Sequence, residues 1–464
     1  MKLAIVVQRY GADINGGAEL HARYVAEHLA PHAQVTVLTT CARDYVTWHD
    51  EYPAGVEVVN GIPVHRFPVA HERDVKIFAR RSEQVFEASH SHLDEVKWLD
   101  AEGPTSTKLV DHIKANRAGY DYFIFFSYRY YHAYHGVRAV PEKAILVPTA
   151  ERDHAIGLSI FHPVFRNVRA VMYNSPEEQR MIQAATNNRD IPGVVVGIGS
   201  AIPERTHADR FRQKYGITGR FALYVGRIDQ NKGCGELFTF FLQALPALPK
   251  GLGLVLVGKA ILPVPEHPRI KHLGFLDDQD KFDALAAADL LIMPSYYESL
   301  SMVALEAWAL GKPVLANGKC EVLRGQCIRS RAGLYYETQA EFVETLKAIA
   351  DGRTLNAALG ANGRAFFDRH YSWPVIERKY LEMLERLSGE NAGGDVRSVR
   401  LQADLREPGF FAKRRRTLPP ANDVLASLPS GPVIDHGPAE TDHGPAEAGH
   451  YVQGDHRGDH AAVS

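Results

Sequence analysis

The feature that most constrains this chain is an alternation. Short, β-rich apolar runs trade places with helical patterns, and the series runs twice. The first series holds "KLAIVV" (2–7), helical "GAELHARYVAEHLA" (17–30), "QVTVLTT" (34–40), "YDYFIFFS" (120–127), "KAILVP" (143–148), "RAVMYNS" (169–175), helical "SPEEQRMIQAA" (175–185) and "GVVVG" (193–197). The second opens with "RFALYVG" (220–226) and helical "GELFTFFLQAL" (235–245). It continues through "GLVLVG" (253–258), "IKHLGFL" (270–276), helical "DKFDALAAA" (280–288), "DLLIMPS" (289–295), helical "SMVALEAWAL" (301–310) and "PVLAN" (313–317). Strands laid parallel need a long crossover between them, and a helix supplies it. The expected class is therefore α/β: two doubly wound parallel-sheet domains with the ligand in the cleft between them. The polar stretch 198–219 is the expected boundary, giving a first domain over 1–197 and a second over 198–371.

Other classes are disfavoured. The 53 Lys and Arg residues nearly balance the 55 Asp and Glu, for a formal net charge of −2. No global field then draws the chain to nucleic acid or to an anionic membrane. Cys41, Cys234, Cys320 and Cys327 form no CxxC or zinc spacing, which suits a reducing, cytoplasmic setting. The short apolar start "MKLAIVV" is not expected to be a secretion signal, and no apolar run is long enough to span a bilayer.

Residues 338–387 carry a helical pattern. From 388 to 464 the composition turns Gly-rich and charged, with a doubled "DHGPAE" (435–440, 442–447). Such a segment has little to bury and is expected to be disordered. Its "GFFAKRRR" (409–416) offers weak membrane-surface contact, although a solvated tail is favoured. His436, His443 and His450 recur every seven residues. They read as part of the duplication rather than as metal ligands.

Two stretches carry chemistry. In "YESLSMVALEAWALGKP" (297–313) a strand meets a polar turn and then a helix, with Glu298 and Glu306 eight positions apart. Eight helical residues span about 12 Å, so the two acids address different points. The helix N-terminus between them offers unpaired N–H groups and a positive dipole end, which suits a diphosphate. Carboxylates on either side could accept hydrogen bonds from sugar hydroxyls. Taken alone, Glu298 reads first as a partner of the helix dipole and Glu306 as a surface acid. In "LYVGRIDQNKGCGEL" (223–237), Arg227 and Lys232 follow a strand end, where α/β ligands sit. Paired cations match a diphosphate and the charge that builds on it as it departs.

With these motifs in hand, the chain resembles the family 4 glycosyltransferases of GT-B architecture. The resemblance rests on G-R-x(4)-K-G at Gly226–Gly233 and E-x(7)-E at Glu298–Glu306. It also rests on "HLGFLDDQDKFDALAAADLLIMPS" between them and "NGGAELHARYVAEHLA" near the N-terminus. It covers roughly 1–387 and is sharpest over 220–317. It implies two Rossmann-like domains, the first completed by a helix over 372–387. It also implies a retaining, metal-independent transferase that takes a nucleotide-diphosphate sugar as substrate and no cofactor. Arg227 and Lys232 would hold the diphosphate, Glu298 the donor sugar, Glu306 the ribose, and the N–H groups of Leu300, Ser301 and Met302 the phosphates. Gly16 and Gly17 would let the N-terminal loop approach, Gly226 would open the first motif, and the nucleobase would lie by Phe275. The acceptor would be a glycan or lipid-linked hydroxyl compound in cell-surface polysaccharide or lipopolysaccharide assembly, at the inner face of a membrane.

The chain departs from the family in three places. Where relatives carry His-Asp, this chain has "ERDH", which aligns Glu151 with the histidine and makes it a candidate catalytic residue as well as a candidate loop acid. The interdomain turn is "VGIGSAIP" (196–203), and Ser301 stands where glycine is frequent. The D-x-D in "DDQD" (277–280) reads as a helix cap rather than a metal site. Aromatic residues from Tyr128 onward are candidates for stacking on an acceptor saccharide. A nucleotide-sugar epimerase and a non-catalytic sugar-binding homologue remain as alternatives.

Overall fold

The computed structural model describes residues 1–14 and 16–392. The expected repeat motif, basic knot and histidines of the C-terminal segment lie outside the described residues. Two sheets organise the chain. The first comprises β1 (Lys2–Val6), β2 (Gln34–Thr40), β3 (Gly55–Val59), β4 (Ile62–Phe67), β5 (Tyr122–Phe126), β6 (Ala144–Val147), β7 (Ala170–Tyr173) and β8 (Gly193–Val195). Its order is β3-β4-β2-β1-β5-β6-β7-β8, and only the β3–β4 pairing is antiparallel. The second comprises β9 (Phe221–Val225), β10 (Gly253–Val257), β11 (Ile270–His272), β12 (Leu290–Met293), β13 (Val314–Asn317) and β14 (Gly333–Tyr336). Its order is β11-β10-β9-β12-β13-β14, parallel throughout.

The unbroken apolar runs follow from burial on both faces. Leu3 and Ile5 of β1 point into one core, Ala4 and Val6 into another. Tyr224 and Val225 likewise face opposite layers. One of these cores is continuous from β1 and β5 of the first sheet to β9 and β12 of the second. It also takes in Ile376, Tyr380 and Leu384 of the last helix, Trp373–Ala392.

That helix lies against the first domain. Glu377 Oε1 meets His28 Nδ1 at 2.6 Å, Lys379 Nζ donates to the Val196 carbonyl at 2.9 Å, and Arg169 pairs with Glu390 at 2.7 Å. It extends past residue 387, where the sequence pattern stops, because Glu390 is anchored by Arg169 and Arg386. The expected tail therefore begins no earlier than the end of this helix. The sequence pattern also left 41–119 without elements. This region forms the β3–β4 hairpin and the helices Val75–Glu87, His92–Glu102 and Thr107–Ala115.

In each sheet the strand order reverses at one point, β1/β5 in the first and β9/β12 in the second. The loops leaving neighbouring strands diverge there and open a crevice. Gly16 after β1, Gly226, Arg227 and Lys232 after β9, and Glu298, Leu300 and Ser301 after β12 fall on these loops, while Gly17, Met302 and Glu306 belong to the helices that follow them.

Candidate functional site

The loop after β9 is built around Asp229, an acid the sequence reading did not single out. One carboxylate oxygen takes the Arg227 Nε, and the other accepts the Lys232 backbone N–H at 2.8 Å. An acid two positions after one cation and three before the other can cap the turn that holds both. That spacing is visible in "GRIDQNKG". Gly233 then enters the helix Cys234–Ala244 at φ +70, where an added Cβ would stand 2.1 Å from the Pro294 carbonyl. Only glycine permits this approach of the first motif to the end of β12.

The loop after β12 meets this turn directly. Lys232 Nζ donates to Glu298 Oε1 at 2.8 Å. The helix Met302–Ala309 follows, with Ser301 as its cap accepting from the Ala304 N–H at 3.3 Å. Among the described residues nothing accepts a hydrogen bond from the N–H groups of Leu300, Ser301 or Met302. Those three donors and the Lys232 ammonium therefore gather at the β9/β12 reversal.

From the first domain comes Glu151, on the loop after β6. Burial pushes its carboxyl up to about 7, Lys232 opposes this, and Glu298 and Asp153 reinforce it. Burial alone would pull Lys232 down, but Glu298 and Glu151 outweigh it and hold the ammonium above the ordinary lysine range. The structure thus brings Arg227, Lys232, Glu298 and Glu151 into one electrostatic cluster spanning both domains. Asn174 Nδ2 reaches Ser299 Oγ at 3.4 Å beside it.

The other candidates fare differently. Gly16 caps the helix Gly17–Leu29, and an added Cβ there would crowd Glu19, which Arg9 holds at 2.6 Å. At Gly17 an added Cβ meets nothing within 4 Å. Gly226 leaves β9 at φ +151, and its carbonyl packs on Gly258 at the end of β10. Phe275 is 69% exposed on the loop after the edge strand β11. Glu306 is only 2% exposed, and its Oε1 takes Lys281 Nζ at 3.1 Å. Burial raises its carboxyl against the pull of that ammonium. Glu306 is therefore a buried ion-pair partner of Lys281. Lys281 lies 25 positions upstream, so no sequence spacing announced it.

Two smaller readings also meet the structure. Asp277 is the cap of the helix Asp278–Ala287, as expected, and Asp280 is taken up by Arg210, Lys214 and Tyr215. The aromatic residues after β5 do not present rings to a saccharide. Tyr128, Tyr130, Tyr131 and Tyr134 are all at most 8% exposed. Tyr128 packs on Phe161 and Phe165, because the chain turns inward there to bury its apolar surface. Among the described residues no group of three or more His, Cys, Asp or Glu side chains is placed to hold a metal ion, and no helix is long and apolar enough to cross a membrane.

Two doubly wound parallel-sheet domains define the GT-B fold class. Comparison with known proteins gives the kinship within that class. Residues 219–351 match the family model for Glycosyl transferases group 1. Over 201 residues the chain is 28% identical to the GDP-mannose-dependent monoacylated alpha-(1-6)-phosphatidylinositol monomannoside mannosyltransferase of Corynebacterium glutamicum, covering 40% of this chain and 52% of that one. It is 26% identical to the lipopolysaccharide core biosynthesis glycosyltransferase LpsE of Rhizobium meliloti, covering 47% and 65%. The matched part is thus about half to two thirds of the length of these relatives. Among solved structures, a sucrose-phosphate synthase of Thermosynechococcus elongatus aligns with a TM-score of 0.62 at 18% identity, over 84% of this chain and 99% of that one. Anabaena HepE, in complex with UDP-glucose, aligns at 0.60 and 17% identity, over 83% and 100%. The chain has the GT-B fold, and its residues 219–351 are similar to the Glycosyl transferases group 1 family.

Proposed function

We propose that this chain moves a sugar from a nucleotide-diphosphate sugar to a hydroxyl acceptor, with retention of configuration and without a metal ion. The observation that carries the reading is the Lys232–Glu298 contact at 2.8 Å, set beside the free N–H groups of Leu300, Ser301 and Met302. A diphosphate entering there would take the Lys232 ammonium, the Arg227 guanidinium and those N–H groups. Lys232 would then be drawn from Glu298, leaving that carboxylate for donor-sugar hydroxyls and for the positive charge that develops on the sugar. Fixed donors aimed at a departing diphosphate act mainly in the transition state, where the charge is greatest. Glu151 would face the donor sugar from the first domain. Gly17 would leave room for the donor, Phe275 would lie by the base, and Glu306 would reach the ribose only after parting from Lys281.

The names of the relatives suggest GDP-mannose and UDP-glucose as first donors. They also suggest a lipid-linked or polysaccharide acceptor. The reaction would take place on the cytoplasmic side of a membrane to which the chain would attach peripherally. The test is a donor panel read by thermal shift and by nucleotide release, with and without EDTA. The expected result is stabilisation by one donor, lost in Lys232→Ala and Glu298→Ala. Equal stabilisation of both variants and the parent would remove the proposed site. Release of nucleotide without any acceptor would favour an epimerase, and binding of a donor with no turnover would favour a sugar-binding homologue.

A further inference from the structure

Glu178 lies at the third position of the helix Pro176–Thr186 and is 1% exposed. Its backbone N–H is taken by the Ser175 cap at 3.1 Å, which fixes the first turn of the helix. Its side chain then turns back to the sheet. One carboxylate oxygen accepts the Ala150 N–H at 2.6 Å, and the other accepts the Asn174 N–H at 2.5 Å. Ala150 follows β6 and immediately precedes Glu151. Asn174 follows β7, and its side chain is the one that touches Ser299 across the domains. We propose that Glu178 is a positioning residue for the transfer reaction: one buried carboxylate ties the ends of β6 and β7 together and so sets Glu151 and Asn174 against the Glu298 loop. This rests on the transferase reading above.

The local backbone gives the clamp a reason to exist. Thr149, directly before Ala150, sits at φ +49, and Ser127 at the end of β5 sits at φ +65. Their hydroxyls meet at 2.8 Å. Left-handed conformations are disfavoured for residues with a side chain and persist where neighbouring contacts over-determine them. Without the Glu178 contact to Ala150, the turn that carries Glu151 is free to relax. Among the described residues no cation pairs with Glu178, and its two oxygens are taken by these backbone donors. Glutamine matches the shape of glutamate but has only one acceptor oxygen. Its amide NH2 would face a backbone N–H, and at most one strand end stays held.

The experiment compares the full chain with Glu178→Gln. Expected are a fall in kcat of about tenfold or more, a donor KM and donor-induced thermal shift within twofold of the parent, and faster amide exchange at Ala150 or Asn174 while the interior of β6 and β7 stays protected. Should Glu178→Gln fail to fold, Glu178→Asp keeps the carboxyl group, shortens the reach by one methylene and is expected to give the same split. Unchanged kcat per folded molecule, or loss of protection throughout the domain, would overturn the proposal. If the parent chain turns over no donor, the transferase reading fails instead. Slow exchange at Ala150 and Asn174 in the variant would then refute the clamp by itself.

Discussion

Replacing Glu151 by glutamine should make the chain more stable at alkaline pH and no more stable at acid pH. The Glu151 carboxyl is pushed from its ordinary value of 4.5 to about 7, first by burial and then by the neighbouring Glu298 and Asp153 carboxylates. A folded-state value raised above the unfolded one means that the folded chain holds this proton more tightly. The stabilisation is complete below pH 4.5 and is lost as pH rises towards 7, where the buried group must ionise. At about 1.4 kcal/mol for each tenfold in proton affinity, the loss amounts to about 3 kcal/mol. Glutamine keeps the shape and never ionises. The variant should therefore match the parent at pH 4.5 and exceed it by up to about 3 kcal/mol at pH 8. Urea titrations at the two pH values, following the transition that exposes Trp48 and Trp98 of the first domain, measure the difference. A gain that does not change with pH would refute the placement of Glu151 in a buried, acid-rich cluster. Lys232→Met should widen the gap, because the cation that opposes the upward shift is gone.

Two further perturbations probe the frame of the site. Gly233→Ala places a Cβ 2.1 Å from the Pro294 carbonyl at φ +70. It should cost at least about 3 kcal/mol in denaturant titration and abolish donor-induced stabilisation, since Lys232 is the preceding residue. Arg329→Ala removes a bidentate pair, at 2.5 and 2.9 Å, between the helix Glu321–Ser330 and Glu177 of the first domain. Arg180 remains as the only other partner of that carboxylate among the described residues. The expected loss is about 2 kcal/mol, with faster proteolytic cleavage in the interdomain segment 198–207; an unchanged cleavage rate would show that the pair does not hold the domains.

The two α/β series were legible because strands buried on both faces must be continuously apolar and parallel strands must be linked by crossovers. Caps were legible for the same local reason. Ser175 and Asp277 each stand where a short polar side chain can satisfy helix N–H groups, while the cap role of Ser301 came only with the structure. The segment 41–119 was not legible. Its helix Val75–Glu87 does carry an apolar stripe through Phe78, Val85 and Phe86 that packs on the first domain's core, although only Val85 is fully buried. The aromatic residues after β5 misled, because the same rings serve a saccharide or a core, and only packing chooses. For Glu306 the E-x(7)-E spacing is intact, and only packing shows that Lys281 pairs with this buried acid.

The sequence by itself determined the strands, the main crossovers and the local turns that present Arg227, Lys232 and Glu298, because each depends on residues close along the chain. It could not determine what those turns meet. Glu151 stands 147 positions before Glu298, and Asn174 meets Ser299 across 125. Only the docking of two sheets, with one core continuous between them and the last helix folded back onto the first domain, brings those groups together. Burial and charge then act across space, and they push the carboxyl of an ordinary loop acid upward.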